Sequence, residues 1–483
     1  MSTLNQDELI NKEQGSSVVK TDKKKNIDFS KPLWQSMIIF FIPLVFSNLL
    51  QSLGGTVSSV IIGKNLGENA LAAASAVFPI TFFLISFIIG LGSASSVLIG
   101  QAFGSKNIER MKSTVGTSLT FALILGILSA ILGNLFADQL LTLIGIPRVI
   151  AAESARFMHI LFTGLPIMFL YVIYTTFLRG TGDSKTPFYF LLISTILTII
   201  LTPAVLFGWF GIPAMGVEGS ALATIIANLI SLIILIVYLR KIRHPLALDN
   251  ETIKKLRLDP AILRLMVKIG LPTSVQMIFI SFSEIAIVTF INRFGEQATA
   301  AYGAINQVIN YIHIPAMSLS IAVGIFGAQL IGANKQQRLN ELLKNAIALN
   351  YIIGLTLTGL AYLFSKPILS LFLTDPTTLA TAQTSLYITL WSFIILGHSI
   401  ILSGLMRSSG TVLWPTALTT LSVILVEMPS AYILSHTIGL HGVWLAYPLS
   451  FITSLIALYV YYHFFWKNKK HTRFFEKPEK QPS

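Results

Sequence analysis

Gly67-Glu68-Asn69-Ala70 returns 228 positions later as Gly295-Glu296-Gln297-Ala298. The same interval separates Gln101 and Gly104 from Gln329 and Gly332, and Arg179, Gly182 and Pro187 from Arg407, Gly410 and Pro415. An offset held constant from position 67 to position 187 marks an internal duplication, which scattered small residues do not produce. Outward from these motifs, each copy lies among apolar runs of about 20 residues or more, the length that crosses a bilayer as a helix. Duplicated membrane bundles are the usual ground plan of secondary transporters, with the substrate site between the repeats.

The apolar runs read as twelve spans: 34–62, 69–102, 112–144, 150–178, 186–208, 217–239, 262–293, 297–331, 337–365, 377–406, 413–436 and 442–466. The runs are continuous rather than alternating, so they point to helices and away from a β-barrel. The expected fold is an all-α polytopic membrane protein, with twelve transmembrane helices in two pseudo-symmetric six-helix lobes. The expected division is a disordered basic tail at 1–33, a first lobe at 34–240, a linker at 241–260, a second lobe at 261–466 and a disordered basic tail at 467–483.

Composition agrees. The 483 residues are 53% hydrophobic and 11% charged, against roughly 25% charged in soluble domains. The absence of cysteine excludes disulfides and cysteine-based metal sites or nucleophiles. The net charge of +13 does not point to nucleic acid, because of where it lies. All Lys and Arg except Lys64, Arg148, Arg156, Arg293 and Lys366 fall in the tails or at the ends joined by loops after even-numbered spans. This bias places both termini in the cytosol of a cell-membrane protein, next to anionic lipid. Met1–Lys31 is polar and offers no signal-peptide pattern. There is no phosphate-binding Gly-x-x-x-x-Gly-Lys-Ser/Thr loop, no His-Glu-x-x-His pair and no potassium-filter sequence. Work against a gradient would then be driven by ions, with no resident cofactor.

Carboxylates are scarce inside the spans, which makes two of them informative. Glu284 lies in span seven and Glu427 in span eleven. A carboxylate at that depth costs several kcal/mol unless protonated or paired, and it usually faces a cavity. Each can exchange H⁺ or attract a cation, including Na⁺ at Glu284; the bland alternative is a protonated acid making one interhelical hydrogen bond. Span eight adds Tyr302, Asn306, Asn310, His313 and Met317 on one helical face, with Gln307 beside it. Amide oxygens coordinate cations, and histidine exchanges protons at physiological pH. In span ten, Tyr387, Trp391 and His398 share a face. The two aromatics suit cation–π binding or interfacial anchoring, and His398 lies deeper. In span one, Asn48, Gln51, Gly55 and Ser58 form a polar, uncharged face that serves either helix packing or a cavity. Pro43, Pro166, Pro203, Pro272, Pro315 and Pro429 lie inside spans and permit bending. Asp183, among glycines and a proline, reads as a turn with a charge latch to nearby basic residues.

Gly100-Gln101-Ala102-Phe103-Gly104, Arg179-Gly180-Thr181-Gly182-Asp183-Ser184-Lys185-Thr186-Pro187 and Gly216-Val217-Glu218-Gly219-Ser220-Ala221 carry a further message. Together with Gly327-Ala328-Gln329-Leu330-Ile331-Gly332, Arg407-Ser408-Ser409-Gly410 and Glu427-Met428-Pro429-Ser430-Ala431-Tyr432, they resemble the multidrug and toxic compound extrusion (MATE) family over Trp34 to Trp466. The resemblance implies a central cleft between the lobes. It also implies export of small organic cations or toxic metabolites in exchange for H⁺ or Na⁺. Many bacterial members carry an Asp where this chain has Ser58. Others use a span-seven Glu, about one turn before Glu284, and often a span-ten Asp, for which His398 is the nearest ionisable candidate. The expected coupling site therefore moves to the second lobe, around Glu284 and then Glu427. A monomer is the expected form. The rival reading, a lipid-linked saccharide flippase, calls for basic residues deep in the cleft; a membrane-embedded enzyme calls for a close catalytic pair.

Overall fold

A computed structural model describes residues 32–143, 145–211, 213–471 and 473–475. Twelve membrane-spanning elements follow one another: α1 (Leu33–Leu66), α2 (Glu68–Gly104), α3 (Ile108–Leu135), α4 (Arg148–Gly180), α5 (Lys185–Phe207), α6 (Val217–Lys241), α7 (Pro260–Asn292), α8 (Glu296–Gly332), α9 (Leu339–Leu363), α10 (Pro376–Thr389 with Ser392–Ser408), α11 (Leu413–Thr437) and α12 (Leu440–Trp466). Eleven are long and apolar enough to cross a bilayer alone, with mean hydropathy of 1.6 to 2.6; α10 crosses as two segments bent by 42°. Helices are required here because lipid cannot satisfy a free backbone N–H or C=O. Polar residues set several of the boundaries. Asn107, Asp259 and Asp375 accept backbone N–H bonds at the starts of α3, α7 and α10, and Pro260 and Pro376 fill first-turn positions that need no N–H partner.

The duplication extends to the backbone. Positive φ occurs at Gly67 (85°) and Gly295 (93°), at Gly182 (88°) and Gly410 (81°), and at Lys106 (56°) and Asn334 (60°), each pair 228 positions apart. The sequence repeat is therefore a repeat of turn geometry, and the glycines mark where a side chain would be strained. The two halves, α1–α6 and α7–α12, form two six-helix lobes around a central cleft.

The lobes exchange contacts symmetrically. The first part of α1 packs into the second lobe, with Phe40 edge-on to Phe326 at 5.6 Å. The first part of α7 packs on α2 so closely that a Cβ at Gly90 would lie 2.5 Å from the Gly270 carbonyl oxygen. At the ends of α2 and α8 the backbones nearly touch: a Cβ at Gly104 would fall 2.2 Å from the Gln329 carbonyl oxygen, and one at Gly332 would fall 2.1 Å from that of Gln101. Gln101 Nε2 donates to the Ser408 carbonyl (2.9 Å) and Gln329 Nε2 to the Gly180 carbonyl (2.8 Å), again a pair related by 228 positions. This seam lies at the end of the molecule that carries Pro32 and the residues after Trp466, since Leu33, Leu330 and Trp466 share one core. Mid-span, Asn48 Nδ2 donates to Ser318 Oγ (2.9 Å) and Asn310 Nδ2 to Ser52 Oγ (3.4 Å). Beyond Ser52, α1 carries exposed Gly55, Thr56 and Ser59, polar or small residues suited to a water-filled cleft.

Four expectations change in detail. Span ten, read as one run over 377–406, is two helices bent by 42° near Trp391. Asp183 makes no charge latch among the described residues; its carboxylate accepts from the Lys185 and Thr186 N–H groups and the Thr186 hydroxyl, which caps α5. The linker is docked rather than merely spanning. It contains a short helix, Asn250–Lys254, and Lys112 on α3 holds Asp249 and Glu251, each at 2.6 Å. The tail expected to be disordered from 467 is seated at His471, Phe474 and Phe475, because the two phenylalanines supply apolar surface that a count of its lysines hides. Residues 476–483 of that tail, and residues 1–31 of the other, lie outside the described residues.

Candidate cation and substrate site in the second lobe

A cavity of about 460 Å³ opens within the second lobe, walled by α7, α8, α10, α11 and α12. Glu284, Glu427, Asn306, Asn310 and His313 all line it. Residues 143 positions apart in sequence are therefore neighbours on one surface, and no Lys or Arg is among the lining residues. Neither carboxylate forms a salt bridge among the described residues.

The two acids are held differently. Glu427 is buried, and its Oε1 accepts a hydrogen bond from Ser283 Oγ at 2.9 Å. It ends a π-helical turn, Val423–Glu427, in which the Met428 N–H reaches back to the Val423 carbonyl. Pro429 follows directly and has no N–H to give, so the helix loses one regular bond here. Such turns insert a residue into the helical register and re-aim the side chain; they recur at functional sites. Glu284, on α7, has an exposed side chain at the cavity wall.

The stripe on α8 faces this space for most of its length. Tyr302, Asn306, Asn310 and His313 line the cavity, as does Gln307, while Met317 does not and is exposed. His313 meets Phe393 edge-on at 5.8 Å, and its Nε2 is buried without a hydrogen-bond partner among the described residues. His398 lies elsewhere. Its Nδ1 is 3.3 Å from the Tyr351 hydroxyl of α9, and it is absent from the cavity wall. Its helical face in span ten points toward α9 rather than α7, which spacing within one helix does not reveal. Tyr387 and Trp391 also stay outside; the Tyr387 hydroxyl bonds to Ser365 Oγ (2.8 Å) and to Gln383 Nε2 (2.9 Å).

In the first lobe the polar face of α1 divides. Asn48 is spent on the lobe-to-lobe bond with Ser318, and Gln51 is exposed. Ser58 lines a separate first-lobe cavity of about 400 Å³ with Ser75, Ser220 and Thr224, and this cavity has no charged lining residue.

Several cavity residues escaped the sequence reading. Gln276 donates to Thr419 Oγ1 at 2.6 Å, and Tyr447 and Ser450 complete the wall from α12. Gln276 had a signal: it stands 228 positions after Asn48. Trp444, Tyr447 and Phe451 also share one helical face, and Tyr302 packs on Trp444 at 5.6 Å. Chemically, the cavity offers two acids, several amides and hydroxyls, and aromatic walls. It suits a cation whose charge the acids neutralise and whose organic part the rings enclose.

A family model described as MatE matches residues 43–204 and again residues 272–433, once in each half. The chain is 50% identical over 447 residues to "Probable multidrug resistance protein YoeA" of Bacillus subtilis (strain 168), covering 92% of this chain and 96% of that protein. It is 27% identical over 438 residues to "FAD transporter" of Shewanella oneidensis, covering 89% and 94%. Among solved structures, one described as the outward-facing conformation of a multidrug resistance MATE family transporter superposes with TM-score 0.82 at 20% identity, covering 89% of this chain and 95% of that one.

Proposed function

Because this chain belongs to the MATE family, we propose that it exports organic compounds, drugs among them, by antiport through the second-lobe cavity. The protein is a multi-pass membrane protein, and its efflux role is supported by the names of its relatives. One observation carries this: two carboxylates, Glu284 and Glu427, share a cavity with amides and aromatic rings and with no Lys or Arg in its lining. An H⁺ or Na⁺ taken up there competes with a cationic or amphipathic substrate for the same negative charge. Ion and substrate then alternate, and the ion gradient drives export, since each lowers the other's affinity by the same factor. A coupling Na⁺ would draw on Glu284 or Glu427 with amide and hydroxyl oxygens around it. The chain needs no resident cofactor for this work and has no catalytic role in it. It acts as a monomer in the cell membrane, with the seam and both termini on the cytosolic side and the cleft opening outward. The distribution of Lys and Arg supports that orientation. The saccharide-flippase alternative is not favoured, because a pyrophosphate would meet two acids and no Lys or Arg in this cavity.

The test is efflux of a fluorescent organic cation from cells expressing wild type, Glu427→Gln or Glu284→Gln at equal levels. Energy-dependent export by the wild type, lost in Glu427→Gln and weakened in Glu284→Gln, is expected. Full export by both variants would overturn the second-lobe coupling site.

A further inference from the structure

The chain does not leave the protein after α12. The Trp466 indole donates to Ser409 Oγ (2.9 Å), and His471 lies on the Trp466 ring with centroids 4.1 Å apart. Gln336, between α8 and α9, grips the His471 backbone twice: Nε2 donates to its carbonyl (2.6 Å), and Oε1 accepts from its N–H (3.3 Å). These contacts fasten residues 466–471 to the second lobe. The next contacts reach the first lobe. The Phe474 N–H donates to Gln101 Oε1 (3.1 Å), Phe475 packs against the first-lobe core, and the Arg110 guanidinium stands 5.8 Å from the Phe475 ring centre. The Phe474 ring meanwhile covers Gly410 of the second lobe so tightly that a Cβ there would fall 2.5 Å from Cζ. Both rings join Leu98 of α2, Ile262 and Met266 of α7, and Val412 in one apolar cluster shared by the lobes.

We propose that His471, Phe474 and Phe475 act as a strap that holds the lobes together at the seam and must unseat before they part there. Gln101 is the joint between strap and seam. Its Nε2 donates to the Ser408 carbonyl, and its Oε1 accepts from Phe474, so both ends of one amide are used only when the seam is closed and the strap is seated. The repeat partner shows what is missing without a strap. Gln329 makes the equivalent Nε2 bond to Gly180, but its Oε1 is buried with no partner among the described residues. A buried acceptor left unmatched costs roughly 1–3 kcal/mol, and the strap removes that cost in one half only. The duplicated seam has thus acquired a control element that is not duplicated. Its consequence for transport rests on the antiport reading above, in which the seam opens to admit substrate; its effect on closure does not.

The absence of cysteine makes the test direct. Ala328 is buried in the seam, its Cβ 3.1 Å from where a Cβ on Gly100 would stand. Ala328→Cys would be placed in the full chain, in a chain ending at Lys470, and in the Phe474→Ala/Phe475→Ala variant. Each would be purified into lipid nanodiscs and labelled with a maleimide, with no substrate or ion gradient. Labelling several-fold faster in both altered proteins than in the full chain is expected. Equal rates in all three would overturn the strap. So would faster labelling confined to the shortened chain and accompanied by loss of a cooperative melting transition, with the double-alanine variant at the wild-type rate. A wild type that exports no cation while the labelling difference holds would remove the antiport reading and leave the strap intact.

Discussion

Ser283 donates its hydroxyl proton to the Glu427 carboxylate at 2.9 Å, joining α7 to the π-helical turn of α11 inside the second lobe. This is the hydrogen bond that fixes the buried acid at the cavity wall. Such a bond is worth about 0.5–1.5 kcal/mol to a neutral acceptor and about 1.5–3 kcal/mol to an ionised one, so its removal is felt as up to about a tenfold effect in the first case and more in the second. Ser283→Ala is expected to reduce cation efflux about tenfold while protein level stays unchanged. Ser283→Thr, which keeps the hydroxyl, is expected to restore most of it. The readout is initial efflux rate against substrate concentration.

The seam at the ends of α2 and α8 tolerates no side chain at two glycines. A Cβ at Gly104 would press on the Gln329 backbone, and one at Gly332 on that of Gln101. Both obstacles are carbonyl oxygens, which cannot swing aside as a flexible side chain can. Gly104→Ala and Gly332→Ala are each expected to keep the lobes apart at that end and to abolish transport in a protein that still reaches the membrane. Efflux assays beside a membrane-fraction blot check this; wild-type efflux in either variant would contradict the closeness of the seam.

Gln101 and Gln329 differ in worth despite occupying equivalent places. Gln101→Ala strips partners from the Ser408 carbonyl and the Phe474 N–H, whereas Gln329→Ala strips only the Gly180 carbonyl. At about 1–3 kcal/mol for each buried group left unmatched, Gln101→Ala is expected to lower the melting temperature more. Thermal denaturation in detergent of the two variants decides the order.

Docking of the linker depends on pH through Asp249. Partial burial works against ionising its carboxyl, but the hydrogen bond from Lys112 Nζ, those from the Thr252 N–H and hydroxyl, and the Lys112 charge outweigh it, so the carboxyl sits below its ordinary range. A carboxyl lowered by folding contributes stability that is present above its unfolded pKa of about 4 and is lost as pH falls through the folded value. At pH 7, Asp249→Asn is therefore expected to speed tryptic cleavage at Lys255 and Arg257. The wild type should approach the variant's looseness only in acid, as read by an acid-active protease on the same linker. Equal cleavage at pH 7 would mean the pair does not hold the linker.

The site was legible in part, and the parts differ for a physical reason. The α8 stripe could be read because helical periodicity alone puts Tyr302, Asn306, Asn310 and His313 on one face, and a bilayer makes a polar face conspicuous. Glu284 and Glu427 could be read because carboxylates are rare inside membrane spans. His398 misled, since nothing within span ten says which neighbour its face meets; Tyr351 of α9 is that neighbour. Gln276 is marked only through the repeat, by its place 228 positions after Asn48, and Ser450, a single polar residue in an apolar span, carries no pattern of its own.

By itself, the sequence determined the number of spans, the two-lobe duplication and the turns where glycine recurs, because lipid forces every backbone bond inside a helix and a repeated chain repeats its local geometry. Only the tertiary structure decided which helices enclose the cavity and which end of the cleft is shut. It also decided that the last aromatic residues cross from one lobe to the other. Those outcomes depend on contacts between residues such as Gln101 and Ser408, or Gln101 and Phe474, hundreds of positions apart, and local pattern does not encode such distances.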